Sequence, residues 1–185
     1  MSLLNIKSKI VQFVYDTASI IYAAVIIIML VFTFFFRVAG VIGPSMIPTL
    51  HDGDKLIVSA YVKNPEQGNI IIITQPNPFH EPIVKRIIAL PGQTVDIDFL
   101  KGLVYVDGKM LNEPYLNNPT TKKGDVDFPL TVPEGKVFVM GDNRNNSTDS
   151  RWKQMGLNDD NFVDEDYILG KVIGRVYPKG NWWVR

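Results

Sequence analysis

An all-β domain behind a single apolar helix is the fold this sequence predicts, and three observations predict it. From Ala18 to Phe36 no residue carries a charge, and only Ser19 and Thr33 interrupt the apolar run. After Gly40 the chain breaks into short runs rich in Ile and Val, with most of its 12 prolines and 14 glycines between them. Nothing in that stretch keeps a 3.6-residue period over the length of a helix.

The helix comes first. Nineteen residues at a helical rise cover roughly 28 Å, close to the hydrocarbon thickness of a bilayer. A buried core helix would be apolar on one face only, whereas this run is apolar all round. A cleavable leader has a shorter apolar stretch ending in small residues, but here the run closes on Phe34, Phe35, Phe36 and Arg37. The expectation is a retained membrane anchor over 18–36, preceded by a short cytoplasmic segment over 1–17 and followed by an extracytoplasmic domain over 37–185. Lys7, Lys9 and the amino terminus favour an inside N-terminus, with Arg37 alone close on the far side.

Strands follow. Runs at 55–63, 69–74, 83–90 and 95–99 carry β-branched residues between turn signals. Leu103–Val106 and Lys109–Leu111 flank Asp107-Gly108, a pair suited to the positive φ of a type I′ hairpin turn. Runs at 136–140 and 167–177 complete a barrel or a pair of folded-over sheets. The polar stretch Asn112–Asp127, with Pro114, Pro119 and Gly124, reads as a long surface loop.

Composition excludes several chemistries. The 185 residues include no cysteine, which removes disulfides, thiol nucleophiles and Cys-ligated metals. Nineteen basic residues balance 19 acidic ones, so no basic field gathers nucleic acid. The only histidines are His51 and His80, and His80-Glu81 runs into Pro82, so it is not the helical H-E-x-x-H of zinc peptidases. No metal and no cofactor are expected.

Three stretches could carry chemistry. In Gly43-Pro44-Ser45-Met46-Ile47-Pro48, two prolines stiffen the backbone around one serine. This is either a polar turn into the first strand or a hydroxyl presented in one direction. In Ile83–Leu90, strand alternation puts Lys85 on a face with Ile83 and Ile87, and Arg86 on the other with Val84 and Ile88. A lysine in an apolar row either guards a sheet edge or is a desolvated amine able to serve as a base. Gly141–Arg151 leaves a strand end with two aspartates and two arginines. It could be a solvated loop or a calcium loop, but the wide spacing of its acids suits a hydrogen-bonded buttress better.

In this order behind one anchor, G-P-S-M-x-P-T-L, Gln67–Ile72, K-R-x-x-x-x-P-G and G-D-N-R-x-x-S-x-D-S-R resemble type I signal peptidase, in its short single-anchor form. The resemblance implies a membrane-bound serine endopeptidase that removes signal peptides from secretory preproteins after small residues. By it, Ser45 matches the nucleophile and Lys85 the general base. Ser147 matches a serine that orients the lysine amine. Asp142 with Arg86, and Asp149 with Arg151, match structural ion pairs, and Met46 matches a substrate-contacting residue. Implied partners are preproteins and membrane lipid. Three positions depart from the pattern: Gly43, where some members carry an oxyanion-stabilising hydroxyl, Ala89 for glycine, and Gln93 for aspartate. Rival readings are a Ser-His-Asp hydrolase using His51 or His80 and a non-catalytic anchored scaffold.

Overall fold

The computed structural model describes residues 3–60, 64–156 and 160–178. The chain forms two compact units, 1–37 and 38–185.

The first unit is helix α1, Leu3–Phe35. It starts far ahead of the expected span because no glycine or proline occurs before Gly40 to stop it. Its Ser8–Phe35 portion is long and apolar enough to cross a membrane. Thr33 lies in that portion with its hydroxyl satisfied, donating to the Met29 carbonyl one turn back at 2.7 Å.

Among the described residues the second unit contains eleven strands: β1 (Phe36–Gly40, beginning at the junction), β2 (Lys55–Ser59), β3 (Ile70–Ile73), β4 (Ile83–Ala89), β5 (Thr94–Asp98), β6 (Leu103–Val106), β7 (Lys109–Met110), β8 (Leu130–Thr131), β9 (Lys136–Met140), β10 (Val163–Asp164) and β11 (Ile168–Tyr177). They build a seven-stranded sheet, β1-β2-β11-β3-β4-β9-β10, and a four-stranded sheet, β7-β6-β5-β8. Neighbouring strands from β2 to β11 pair antiparallel. The expected hairpin is present, with Asp107 at φ 52° and Gly108 at φ 72°. The run expected over 55–63 is a strand only to Ser59, and 61–63 lie outside the described residues.

Packing follows from alternation. On β4, Ile83 and Ile87 join Ile71, Ile73, Val137 and Val139 in one cluster, while Val84 joins Ile70, Ile72, Met46 and Leu50 in another. A third cluster fills the space between the sheets, where Phe99, Phe128, Phe138 and Phe162 follow one another at 5.7–6.2 Å between ring centroids, each pair edge to face. With rows of buried side chains on each face, β4 is a rigid rail. The two charged residues at its middle, Lys85 and Arg86, are therefore held as firmly as the core.

Candidate active site

Ser45 stands in the turn between β1 and β2. The turn is pinned from inside by the buried side chains of Met46 and Leu50 and closed by the bonds Ile47 N–H to Pro44 O, 3.1 Å, and Leu50 N–H to Met46 O, 2.9 Å. From the other side Asn143 holds two carbonyls of the turn. Its backbone N–H donates to Ser45 O at 2.9 Å and its Nδ2 to Pro44 O at 3.1 Å. Among the described residues no hydrogen bond uses the Ser45 N–H, so this donor is left for whatever occupies the site. Asn143 escapes a reading of the sequence because an asparagine in a polar loop looks the same whether it clamps a backbone or faces water.

Lys85 is the third residue of β4, opposite Ile71 in the register, and 3% exposed. Its Nζ donates to Ser45 Oγ at 3.0 Å and to Val84 O at 3.1 Å. Burial lowers its pKa from 10.5 to about 8, an effect partly opposed by the carboxylates of Asp149 and Asp142. Of the two readings of a lysine in an apolar row, the geometry is that of a desolvated amine beside a hydroxyl.

Arg86, one residue on, points to the opposite face. Its Nε and Nη2 meet the two oxygens of Asp142 at 2.8 and 2.7 Å, and its Nη1 donates to Gly68 O at 2.8 Å. Thr49 donates its hydroxyl to the same carboxylate, tying the Ser45 turn to the pair. Asp149 takes Arg151 in the same two-pronged manner, Nε and Nη2 each at 2.8 Å, and accepts the Gly141 N–H at 3.0 Å. Such two-pronged pairs fix orientation as well as charge. Both aspartates of the Gly141–Arg151 loop are thus committed to arginines.

Ser147 departs from its expected place. It lines the same cavity, but its buried Oγ has no hydrogen-bond partner and makes no bond to Lys85. The Lys85 amine takes Val84 O as its second acceptor instead. Close packing at Gly141 holds Ser147 where it is, since a Cβ there would lie 2.3 Å from Ser147 Oγ and 2.5 Å from Ser45 O. Met46, expected to contact substrate, lines the cavity and is also 1% exposed, packed in the core beneath it.

The cavity over Ser45 and Lys85 has a volume of about 380 Å³, walled by residues 40–46, by Phe79 with residues 81–85, and by Lys122 with residues 146–148. Neither histidine lines it. Sequence reasoning missed Glu113, Tyr115 and Thr120 altogether. They sit in the stretch read as a surface loop, yet Glu113 pairs with buried Arg144, Thr120 accepts from Arg144 at 2.9 Å, and the Tyr115 ring lies 3.9 Å from the Arg86 guanidinium.

Gly43 explains itself by conformation. Its φ is +82°, a value that L-residues rarely adopt, although a Cβ there would meet nothing within 4 Å. Its N–H donates to Asp52 Oδ1 at 2.8 Å, which fixes the backbone in that shape. Gly43→Ser and Gly43→Ala should therefore lower peptide turnover to the same degree. A gain for Ser alone would mean that an added hydroxyl outweighs the strain.

The family model described as "Signal peptidase, peptidase S26" matches residues 14–177. "Probable signal peptidase I-1" of Synechocystis sp. is 34% identical over 183 residues, covering 92% of this chain and 86% of that protein. "Signal peptidase I T" of Bacillus subtilis is 42% identical over 161 residues, covering 81% of this chain and 78% of that protein. A crystal structure of a signal peptidase I from Enterococcus faecalis is 33% identical, with a TM-score of 0.46, and covers 60% of this chain and 98% of the other.

Proposed function

This chain belongs to the S26 family as a membrane-anchored signal peptidase I that cleaves signal peptides, and from that premise we propose which of its residues do so. Ser45 is the nucleophile and Lys85 the general base. The observation that carries this reading is the 3.0 Å contact between Lys85 Nζ and Ser45 Oγ, made by an amine whose burial favours its neutral form.

In the first step, neutral Lys85 accepts the hydroxyl proton as Ser45 Oγ bonds to the scissile carbonyl carbon. The carbonyl oxygen becomes negative and turns toward the unused Ser45 N–H. Lys85 then returns the proton to the departing amine as the C–N bond breaks, leaving an acyl-enzyme. Water, giving its proton to Lys85, attacks that ester, and Ser45 recovers its hydrogen. Every proton passes through one amine, and the scheme balances without a cofactor or metal.

Substrates are secretory preproteins. The cavity walls at residues 40–43 and 82–84 are made of glycine, proline and aliphatic residues, an apolar lining suited to small side chains next to the cut. The charge asymmetry around α1 favours a cytoplasmic N-terminus, with residues 37–185 on the outer side in contact with lipid. The test uses the full chain in detergent micelles with a preprotein carrying Ala-x-Ala, followed by sequencing of the new N-terminus. One cut after the second alanine is expected, and Leu at that alanine should stop it. Equal cleavage of both substrates would overturn the account of specificity.

A further inference from the structure

The buried charges around the site balance only when a residue outside the recognised motifs is counted. Arg86, Arg144 and Arg151 are each 1% exposed or less, and Asp142 and Asp149 answer two of them. The third counter-charge is Glu113, whose side chain is 8% exposed and whose two oxygens both meet the Arg144 guanidinium, Nη1 donating to Oε2 at 3.0 Å. Arg144 in turn donates from Nε to Gly141 O at 3.2 Å, and its own carbonyl accepts from Arg151 at 2.5 Å. Tyr115, two residues beyond Glu113, covers Arg86 and donates to Glu113 Oε1 at 2.9 Å. Burial, and next the Glu113 charge, push that phenol above its usual range, so it stays a neutral donor.

Among the described residues three guanidiniums and three carboxylates make a neutral cluster beneath the site, to which an ammonium at Lys85 adds a positive charge. We propose that Glu113 is a positioning residue of the signal peptidase reaction: it locks Arg144 so that the Gly141–Arg151 loop holds Ser45, and its charge offsets the third buried guanidinium, which sets the pH at which Lys85 loses its proton. The proposal rests on the Ser45–Lys85 assignment above. The groups facing Lys85 are Asp142, Asp149 and Arg151 from below, its chain neighbour Arg86, and Glu81 and Lys122 around the cavity. None of them substitutes for Glu113 at Arg144 among the described contacts.

Glu113→Gln keeps the shape and one acceptor but removes the charge. One positive charge is then left in excess below Lys85, which disfavours its protonated form, so the acid limb of kcat/KM should move to lower pH. Loosening of the loop should lower kcat by roughly 10- to 100-fold, while KM, set largely by the cavity walls at residues 40–46 and 81–85 that the loop does not carry, changes less than about two-fold. Glu113→Asp retains the charge and should keep the parent's acid limb even if kcat falls, and it also serves if the Gln variant folds poorly. Measurements use the full chain in detergent on one peptide between about pH 5 and 10, spanning the lysine titration on both sides, with melting curves to correct for unfolded protein. A Gln acid limb that coincides with the parent's after that correction overturns the proposal. Cleavage surviving in Lys85→Ala, run in parallel, would instead overturn the dyad assignment and is a separate result.

Discussion

Lys85→Met should abolish cleavage and, at pH 7, raise the melting temperature. Without a base the serine hydroxyl is a poor nucleophile, and losing one member of a catalytic unit typically costs on the order of 10⁴-fold or more in kcat. Lys85→Arg should fare no better, since a guanidinium stays protonated and cannot accept. The stability gain comes from the same burial that makes the base. The folded-state pKa of about 8 lies below the ordinary 10.5, so the unfolded chain binds more protons between those values. The contribution of Lys85 to the parent's stability is therefore least favourable below pH 8 and rises as pH climbs toward 10.5. Methionine keeps the apolar stem and removes the penalty, which is on the order of 3 kcal/mol at its largest, so its advantage should shrink over that same interval. Parent activity should fall as pH drops through about 8, where Lys85 takes up a proton. Substantial turnover by the Arg variant, or a Met variant less stable than the parent at pH 7, would contradict the role given to this amine.

Asp142→Ala should be the most destabilising single change in the site. It leaves the Arg86 guanidinium, 1% exposed, without its carboxylate, and takes the acceptor from Thr49. Removing one partner of a buried pair costs about 3–5 kcal/mol, a large share of the roughly 5–15 kcal/mol that holds an ordinary domain folded. The melting midpoint should fall by roughly 10 °C, with turnover lost from the remaining folded molecules because Thr49 no longer ties down the Ser45 turn. By contrast Asp127→Ala, which breaks an exposed pair with Lys123, should leave the midpoint unchanged. A midpoint for Asp142→Ala within a degree or two of the parent would show that the pair does not support the fold.

Much of the architecture was legible because it depends on patterns that act locally. Where β-branched runs meet turn residues, strands form: β3, β4, β5, β9 and β11 lie within a residue or so of the runs visible in the chain, and Asp107-Gly108 turns as its φ preferences require. The two-residue strands β8 and β10 were not legible, since Leu130–Thr131 and Val163–Asp164 are strands only through their partners β5 and β9. The start of α1 was hidden for a different reason. Absence of charge marks what can enter a bilayer, whereas a helix continues past Asp16 and Lys9 until something breaks it. At the site, side chains that act through spacing along one strand, Lys85 and Arg86, could be placed on opposite faces in advance. Asn143 and Glu113 could not, because their work is done across 99 and 31 positions of chain. Nothing local marks an asparagine or a glutamate as the partner of a distant group.

The stretch between β7 and β8 leaves the small sheet and returns to it, but its middle is bonded to the loop that follows β9 of the larger sheet. Asn145 Oδ1 accepts from the Thr121 and Lys122 N–H groups at 3.1 Å each, Arg151 holds Lys122 O at 2.8 Å, and a Cβ on Gly124 would lie 2.2 Å from Arg151 O. Heat or denaturant acting on either layer must therefore loosen this seam, and the seam is also the back wall of the catalytic loop. Inactivation and loss of the whole domain become one event. A half-melted enzyme that keeps a sheet but has lost its chemistry, or keeps its chemistry on a single sheet, has no place in this architecture.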